Sequence, residues 1–400
     1  MKKLYITTAV IVIAAVIISF VFYNLFKPKE PDNVIKVGFV FVGDESHTYT
    51  LNFINGMSSL KESFGDKVEL HPVYNVHKQN QEEAVDALVN KGCTLIFANS
   101  YDYRMNTKVC AEKYPDVQFC QIGSVNANEP PVYPNYHTFT GKIHQGCYIS
   151  GVVAGLKMNE LIEMNQLKSS EAKIGYVAAY PYSEVISGYT AFFLGVKSVV
   201  KEATMEVIYT NSWNNYALEL KAAKRLIADK CVIMANQTDT KAVADACENM
   251  PTYMNVFYVG YNQNMVDIAP TTYLIGCRTN WSKYMIGAVK ALQKGKKIEN
   301  VVDGNVNGND IGAGFDKGWI EMFPANEMTV AKGTNEKIRQ LIQDFSKGKI
   351  IVFQGNYIGV SPFDKEDIYD LNTPYEESEY TSAATFHYEL KNVIRIVDRY

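Results

Sequence analysis

The chain of 400 residues has few of the signatures that mark enzymes and metal sites. There is no G-x-x-x-x-G-K-S/T phosphate loop, no H-E-x-x-H and no G-x-S-x-G elbow, and the six histidines are scattered. The seven cysteines form no C-x-x-C pair and leave an odd one, which argues against a zinc site or a thioredoxin-type centre. Most of them read as small buried hydrophobes, Cys231 in CVIMANQ among them. Charge is sparse as well. The net value is −4 with both signs interspersed, so no Lys/Arg block marks a face for nucleic acid or anionic lipid. Asp303, Asn305, Asn307 and Gly308 match the start of a calcium loop, but Gly314 stands where the twelfth position needs a bidentate Glu. A Gly/Asn turn accounts for that run. No catalytic residue, metal ligand or cofactor is assigned.

Long apolar runs are missing too, with one exception. Leu4 to Phe26 holds no charged residue, follows Lys2 and Lys3, and at ~1.5 Å per residue reaches roughly 34 Å, enough to cross a hydrocarbon core. It ends in Phe20, Val21, Phe22 and Tyr23 without a small-x-small cleavage site, which favours an uncleaved transmembrane anchor over a signal peptide for residues 1–33. The rest of the chain is then expected at the extracytoplasmic face of the cell membrane. Lys27 and Lys29 on the far flank nearly balance the charge before the run.

From Val34 onward strands and helices alternate. VIKVGFVFV, VELHPVYNV, CTLIFANS and VQFCQIG read as strands, with helices near Leu51 to Phe64, Asn80 to Lys91 and Arg104 to Lys113. After the Pro-rich EPPVYPNY comes a helix whose Gly146, Gly151 and Gly155 invite close packing. The alternation then restarts with KIGYVAA, MEVIYTN, CVIMANQ, VFYVGYN and TYLIGCRTN. This is an α/β pattern of two doubly wound parallel-sheet lobes. In the tail, a helix near Glu336 to Ser346, a strand at KIIVFQG, a solvated acidic loop with Glu376, Glu377 and Glu379, and a final helix including Tyr388 to Val397 are expected.

One stretch combines a buried strand, an aromatic loop and an amphipathic helix: KIGYVAAYPYSEVISGYTAFFLGVKSVV, Lys173 to Val200. Ligands of open α/β sheets sit outside the carboxyl ends of the strands, so the tyrosines and Glu184 at this joint suggest recognition of a small planar or polar molecule. The 27 tyrosines suit such a role, since a rigid amphipathic ring supplies contact area with little entropy loss.

Taken with GDESHTY, IFANSYDY, AEKYPDVQF, ISGVVAG and TNSWNNYALELKAAKRLI, this stretch resembles the basic membrane protein family of substrate-binding proteins, the extracellular receptors of ABC importers for purine nucleosides and related bases. The likeness runs from about Val34 to Lys297. It implies a type I periplasmic-binding-protein-like frame with a ligand cleft between the lobes. Lobe 1 would span 34–145, rejoined by about 278–310, and lobe 2 would span 146–277, joined by part of about 311–400. Family members commonly carry a lipidated cysteine near the amino terminus, whereas the first cysteine here is Cys93, so the apolar run would serve as the tether.

A purine ligand calls for aromatic plates and a few fixed polar groups. From lobe 1 the candidates are His47, Tyr49, Ser100, Tyr101 and Tyr103; the family commonly has Trp where His47 stands. From lobe 2 they are Tyr180, Glu184, Trp213, Gln237, Thr238, Asp239, Tyr261, Asn262 and Trp281. Asp239 either accepts from an amine or sugar hydroxyl, or caps the helix beginning near Lys241. The resemblance implies a non-catalytic receptor that closes on a purine nucleoside or base and hands it to ABC permease subunits. An extracellular nucleoside-processing enzyme and a receptor-like surface regulator are the alternatives.

Overall fold

β1 (Ile35–Val40) is apolar along almost its whole length and buried on both faces, which places it inside a sheet with helices above and below. In the computed structural model, which describes residues 34–400, it is followed by α1 (Thr48–Phe64), β2 (Val68–Val73), α2 (Gln81–Asn90), β3 (Leu95–Ala98), α3 (Arg104–Lys113), β4 (Gln118–Ile122) and β5 (Tyr136–Gly141). The strands are parallel in the order β2-β1-β3-β4-β5. Alternation along each strand separates two cores. Val37, Phe39 and Phe97 meet Phe53, Met57 and Leu60 of α1, whereas Val40, Ile96 and Phe119 meet Val85 and Leu88 of α2 and Cys110 of α3.

The second lobe repeats the plan. It holds α4 (Ile143–Glu163), β6 (Lys173–Ala178), α5 (Ser183–Lys197), β7 (Thr204–Tyr209), α6 (Tyr216–Ala228), β8 (Ile233–Gln237), α7 (Ala242–Glu248), β9 (Phe257–Tyr261) and β10 (Tyr273–Thr279), with parallel order β7-β6-β8-β9-β10. The glycines of α4 have a packing reason. A Cβ on Gly151 would lie 2.0 Å from the Phe192 carbonyl oxygen of α5, and one on Gly195 would lie 2.2 Å from that of Tyr148, so the two helix backbones touch.

Three crossings join the lobes. The chain leaves β5 for α4, returns from β10 into α8 (Ser282–Gln293), which packs on α1, and adds β11 (Asn305–Asn307) and β12 (Asp310–Ala313) beyond β5 in the first sheet. It then passes into β13 (Ile320–Met322), antiparallel to β10, and α9 (Thr334–Ser346), which packs on α4. The crossings lie side by side: Lys142 N–H donates to Ala313 at 2.9 Å, and Asn280 N–H to Trp319 at 2.6 Å. Asp303, Asn305, Asn307 and Gly308 fall at the β11–β12 hairpin, with Gly308 at φ 57° in its turn.

The tail departs from the sequence reading. A small sheet of β14 (Ile358–Val360), β15 (Ile368–Asp370) and β16 (Glu389–Leu390) forms, and KIIVFQG contributes only a single bridge, Phe353 to Tyr375. The expected final helix is instead β17 (Ile394–Arg399), pairing parallel with β7. Val393, Ile394, Ile396 and Val397 are β-branched and suit a pleated edge, and Arg395 reaches the buried Glu206 carboxylate. Glu377 is not solvated; it is buried and accepts from the Ser187 hydroxyl at 2.8 Å. The expected membrane anchor falls outside the described residues, among which no helix is long and apolar enough to cross a membrane.

All seven cysteines are buried and free. Burial pushes the thiols of Cys93 and Cys110 up to about 11 and about 12.

Candidate ligand-binding site

The order 2-1-3-4-5 creates a switch point in each sheet where neighbouring strands send their loops apart, between β1 and β3 in lobe 1 and between β6 and β8 in lobe 2. Both open onto one cavity of about 120 Å³ between the lobes. Lobe 1 lines it with Val42, His47 and Tyr49 after β1, and with Asn99, Ser100, Tyr101 and Asp102 after β3. Lobe 2 adds Tyr182 and Glu184 after β6, Trp213 and Asn214 after β7, Asp239 after β8 and Tyr261 at the end of β9.

The lobe 1 loop is held by its own polar groups. Asp44 accepts from the Ser46 hydroxyl and from Asn75, which hold its carboxyl below the usual range, and the Asn99 side chain accepts Val42 N–H at 2.8 Å. Gly43 lets the His47 ring lie against the loop, since a Cβ there would stand 2.2 Å from the ring and displace it. Burial pushes His47 down while Asp44 pulls it up.

Aromatic rings form a continuous wall. Tyr180 stacks on Tyr182 at 5.1 Å, both meet Trp213 at 5.8 and 6.3 Å, and Tyr182 faces Tyr101 of the other lobe at 6.0 Å. The Arg104 guanidinium covers the back of Tyr101 at 3.9 Å.

Two carboxyl groups, Glu184 and the buried Asp239, share the cavity with these rings. Burial raises Glu184 to about 7, with the Tyr261 hydroxyl opposing the shift. Asp239 is raised by burial and then by Glu219 and Glu184. Among the described residues no lysine or arginine lines the cavity. Such a site favours a flat ligand that brings hydrogen-bond donors to the carboxyl groups.

Eight of the residues singled out from sequence meet here: His47, Tyr49, Ser100, Tyr101, Glu184, Trp213, Asp239 and Tyr261. The other six do not line the cavity. Tyr103 is buried in the lobe 1 core with its hydroxyl on the Val76 carbonyl, and Trp281 stacks on Phe53 at 4.5 Å beneath α1. Tyr180 backs Tyr182, and Gln237 reaches the Glu184 carbonyl and the Tyr261 hydroxyl from behind. The Thr238 hydroxyl donates to Glu219, and Asn262 is buried with its N–H on the Cys277 carbonyl. Asp239 does not cap α7: Thr240 accepts Ala242 N–H, leaving the Asp239 carboxyl to the cavity. Val42, Asn99, Asp102 and Asn214 were not singled out from sequence, and Tyr182 was read there only as one of the tyrosines of its loop. Tyr182 carried the clearest signal, standing between Tyr180 and Glu184 in the same loop.

Residues 34–353 match the family model described as ABC transporter substrate-binding protein PnrA-like. A purine-binding protein of Brucella abortus is 29% identical over 296 residues, covering 74% of this chain and 76% of that protein. The fold is shared with an ABC transporter solute-binding protein from Aeropyrum pernix (TM-score 0.64, 15% identity, 83% of this chain and 95% of that one). Another, from Conexibacter woesei, superposes with TM-score 0.61 at 16% identity over 79% of this chain and 97% of that one. With four-fifths of its length under the family model and the same two-lobed frame, the chain belongs to the PnrA-like ABC transporter substrate-binding proteins, the basic membrane protein family.

Proposed function

We propose that this solute-binding protein takes a purine, as free base or nucleoside, into the cavity between its lobes. Tethered at the outer face of the cell membrane by its N-terminal segment, it delivers the purine to its ABC permease. The observation that carries the reading is the meeting of Tyr101, Tyr182 and Trp213 with Glu184 and Asp239 on one small cavity. Rings of this kind stack on a heterocycle, and the carboxyl groups accept its N–H or O–H donors. The purine-binding relative supports the same ligand class.

Binding acts through lobe motion. Tyr101 and Tyr182 belong to different lobes, so a ligand touching both rewards closure, and its differential affinity for the closed form sets the population. A closed receptor is the form a permease would recognise.

Melting curves of the chain with adenine, adenosine, guanosine and inosine test the reading, with glucose and amino acids as comparison. Purines are expected to raise the melting temperature and the others to leave it in place. A flat response to all four purines sinks the ligand class.

A further inference from the structure

Residues 377–386 lie beyond the segment that matches the family, 34–353, and touch both lobes. On the lobe 2 side the Glu377 carboxylate accepts the N–H groups of Thr385 and Phe386 at 3.1 and 2.8 Å, tying the ends of the segment together. Ser187 of α5 donates to the same carboxylate at 2.8 Å. Phe386 is stacked on Phe353 at 4.1 Å within the lobe 2 core. Ser187 stands one helical turn beyond Glu184, which lines the cavity.

On the lobe 1 side Ser382 gives both its donors to Asp310, the first residue of β12; the hydroxyl bond is 2.7 Å and the backbone N–H is the second. Asp310 is only 4% exposed and also accepts the Thr138 hydroxyl at 2.6 Å. Nearby, the Asn307 side chain donates to the Tyr380 carbonyl at 2.6 Å. The contact is tight: a Cβ on Gly312 would lie 2.8 Å from that of Ser382. Asp310 stands four residues before the crossing at Gly314, roughly 13 Å at ~3.3 Å per strand residue. Bonds made there lie off the pivot and resist rotation of the lobes.

We propose that residues 377–386 are a strap that holds the cleft closed, riding on lobe 2 and parting from lobe 1 at Asp310 when the lobes open. The lobe 2 anchor combines a buried carboxylate with a stacked aromatic core, whereas the lobe 1 anchor is made of hydrogen bonds that water replaces once the surfaces separate. Parting therefore occurs at Ser382 and Asp310.

The test uses the full chain without ligand, spin-labelled at Glu62→Cys on α1 and Lys224→Cys on α6, both exposed, while the native thiols are buried. The separation of the two labels is compared between the parent and two strap variants, with melting curves confirming that each is folded. Ser382→Ala removes one donor and is expected to raise the share of long separations about fivefold. Gly312→Val displaces the strap bodily and is expected to raise it further. Glu379→Ala, on the exposed side, serves as the comparison that leaves the distribution unchanged. Distributions that stay the same in folded Ser382→Ala and Gly312→Val overturn the proposal. The readout needs no purine, so it stands apart from the ligand assignment.

Discussion

Thr48 of lobe 1 donates its backbone N–H to the Asp239 carbonyl of lobe 2 at 3.1 Å, and Gln263 of lobe 2 donates to the Thr48 carbonyl at 2.9 Å. Thr48 opens α1, which takes no side-chain cap from His47, so the free amide at this helix start finds its partner across the cleft. Separation of the lobes leaves it to water. Ligand binding is therefore expected to slow hydrogen exchange at Thr48 far more than at Leu60, which lies deep in α1 and is protected in either state. Peptide-level exchange with and without adenine checks this; equal slowing at both positions would rule out the closure account.

Trp213→Ala is expected to weaken purine binding by roughly 5- to 150-fold, since stacking on an aromatic ring contributes about 1–3 kcal/mol per base. Trp281→Phe, altered in the lobe 1 core at its stack on Phe53, is expected to lower the melting temperature and leave affinity nearly unchanged. Titration calorimetry separates the two behaviours.

Glu184 makes stability depend on pH in the direction opposite to a salt-bridged carboxylate. Its folded value of about 7 exceeds the ordinary 4.5, so between these values the folded chain keeps a proton that the unfolded chain has released. Its contribution is full below 4.5 and is lost as pH rises towards 7. Glu184→Gln, which stays neutral, is expected to gain up to about 3 kcal/mol over the parent above neutrality and to match it in acid. Urea unfolding across this range measures the gap.

Gly151→Ala is expected to destabilise the protein by about 1–3 kcal/mol, because the added methyl meets the Phe192 carbonyl oxygen and forces α4 and α5 apart. Thermal unfolding reads the loss.

The two-lobed α/β frame was legible because its strands are short apolar runs such as IKVGFV and KIGYVA, each followed by an amphipathic helix. Strand ends pointed to the site for the same reason. What sequence did not resolve was direction: Tyr101 and Tyr103 flank one short turn, yet one faces the cavity and the other the core, a choice made by tertiary packing. Trp281 was misplaced likewise: it follows a lobe 2 strand, yet its ring packs into the lobe 1 core. In the tail, Val393 to Val397 satisfies helix and strand templates alike, and only the exposed edge of β7 decides between them. Glu377 looked like a surface charge because its partners are chiefly backbone N–H groups and a serine 190 positions earlier.

The three crossings also bear on how the molecule is made. Thr138 of β5 meets Asp310 of β12 across 172 positions of sequence, so during synthesis the β5 border remains bare until that distant segment emerges. An unpaired border of this kind recruits other chains. Neither half can therefore be cut out as one continuous gene fragment.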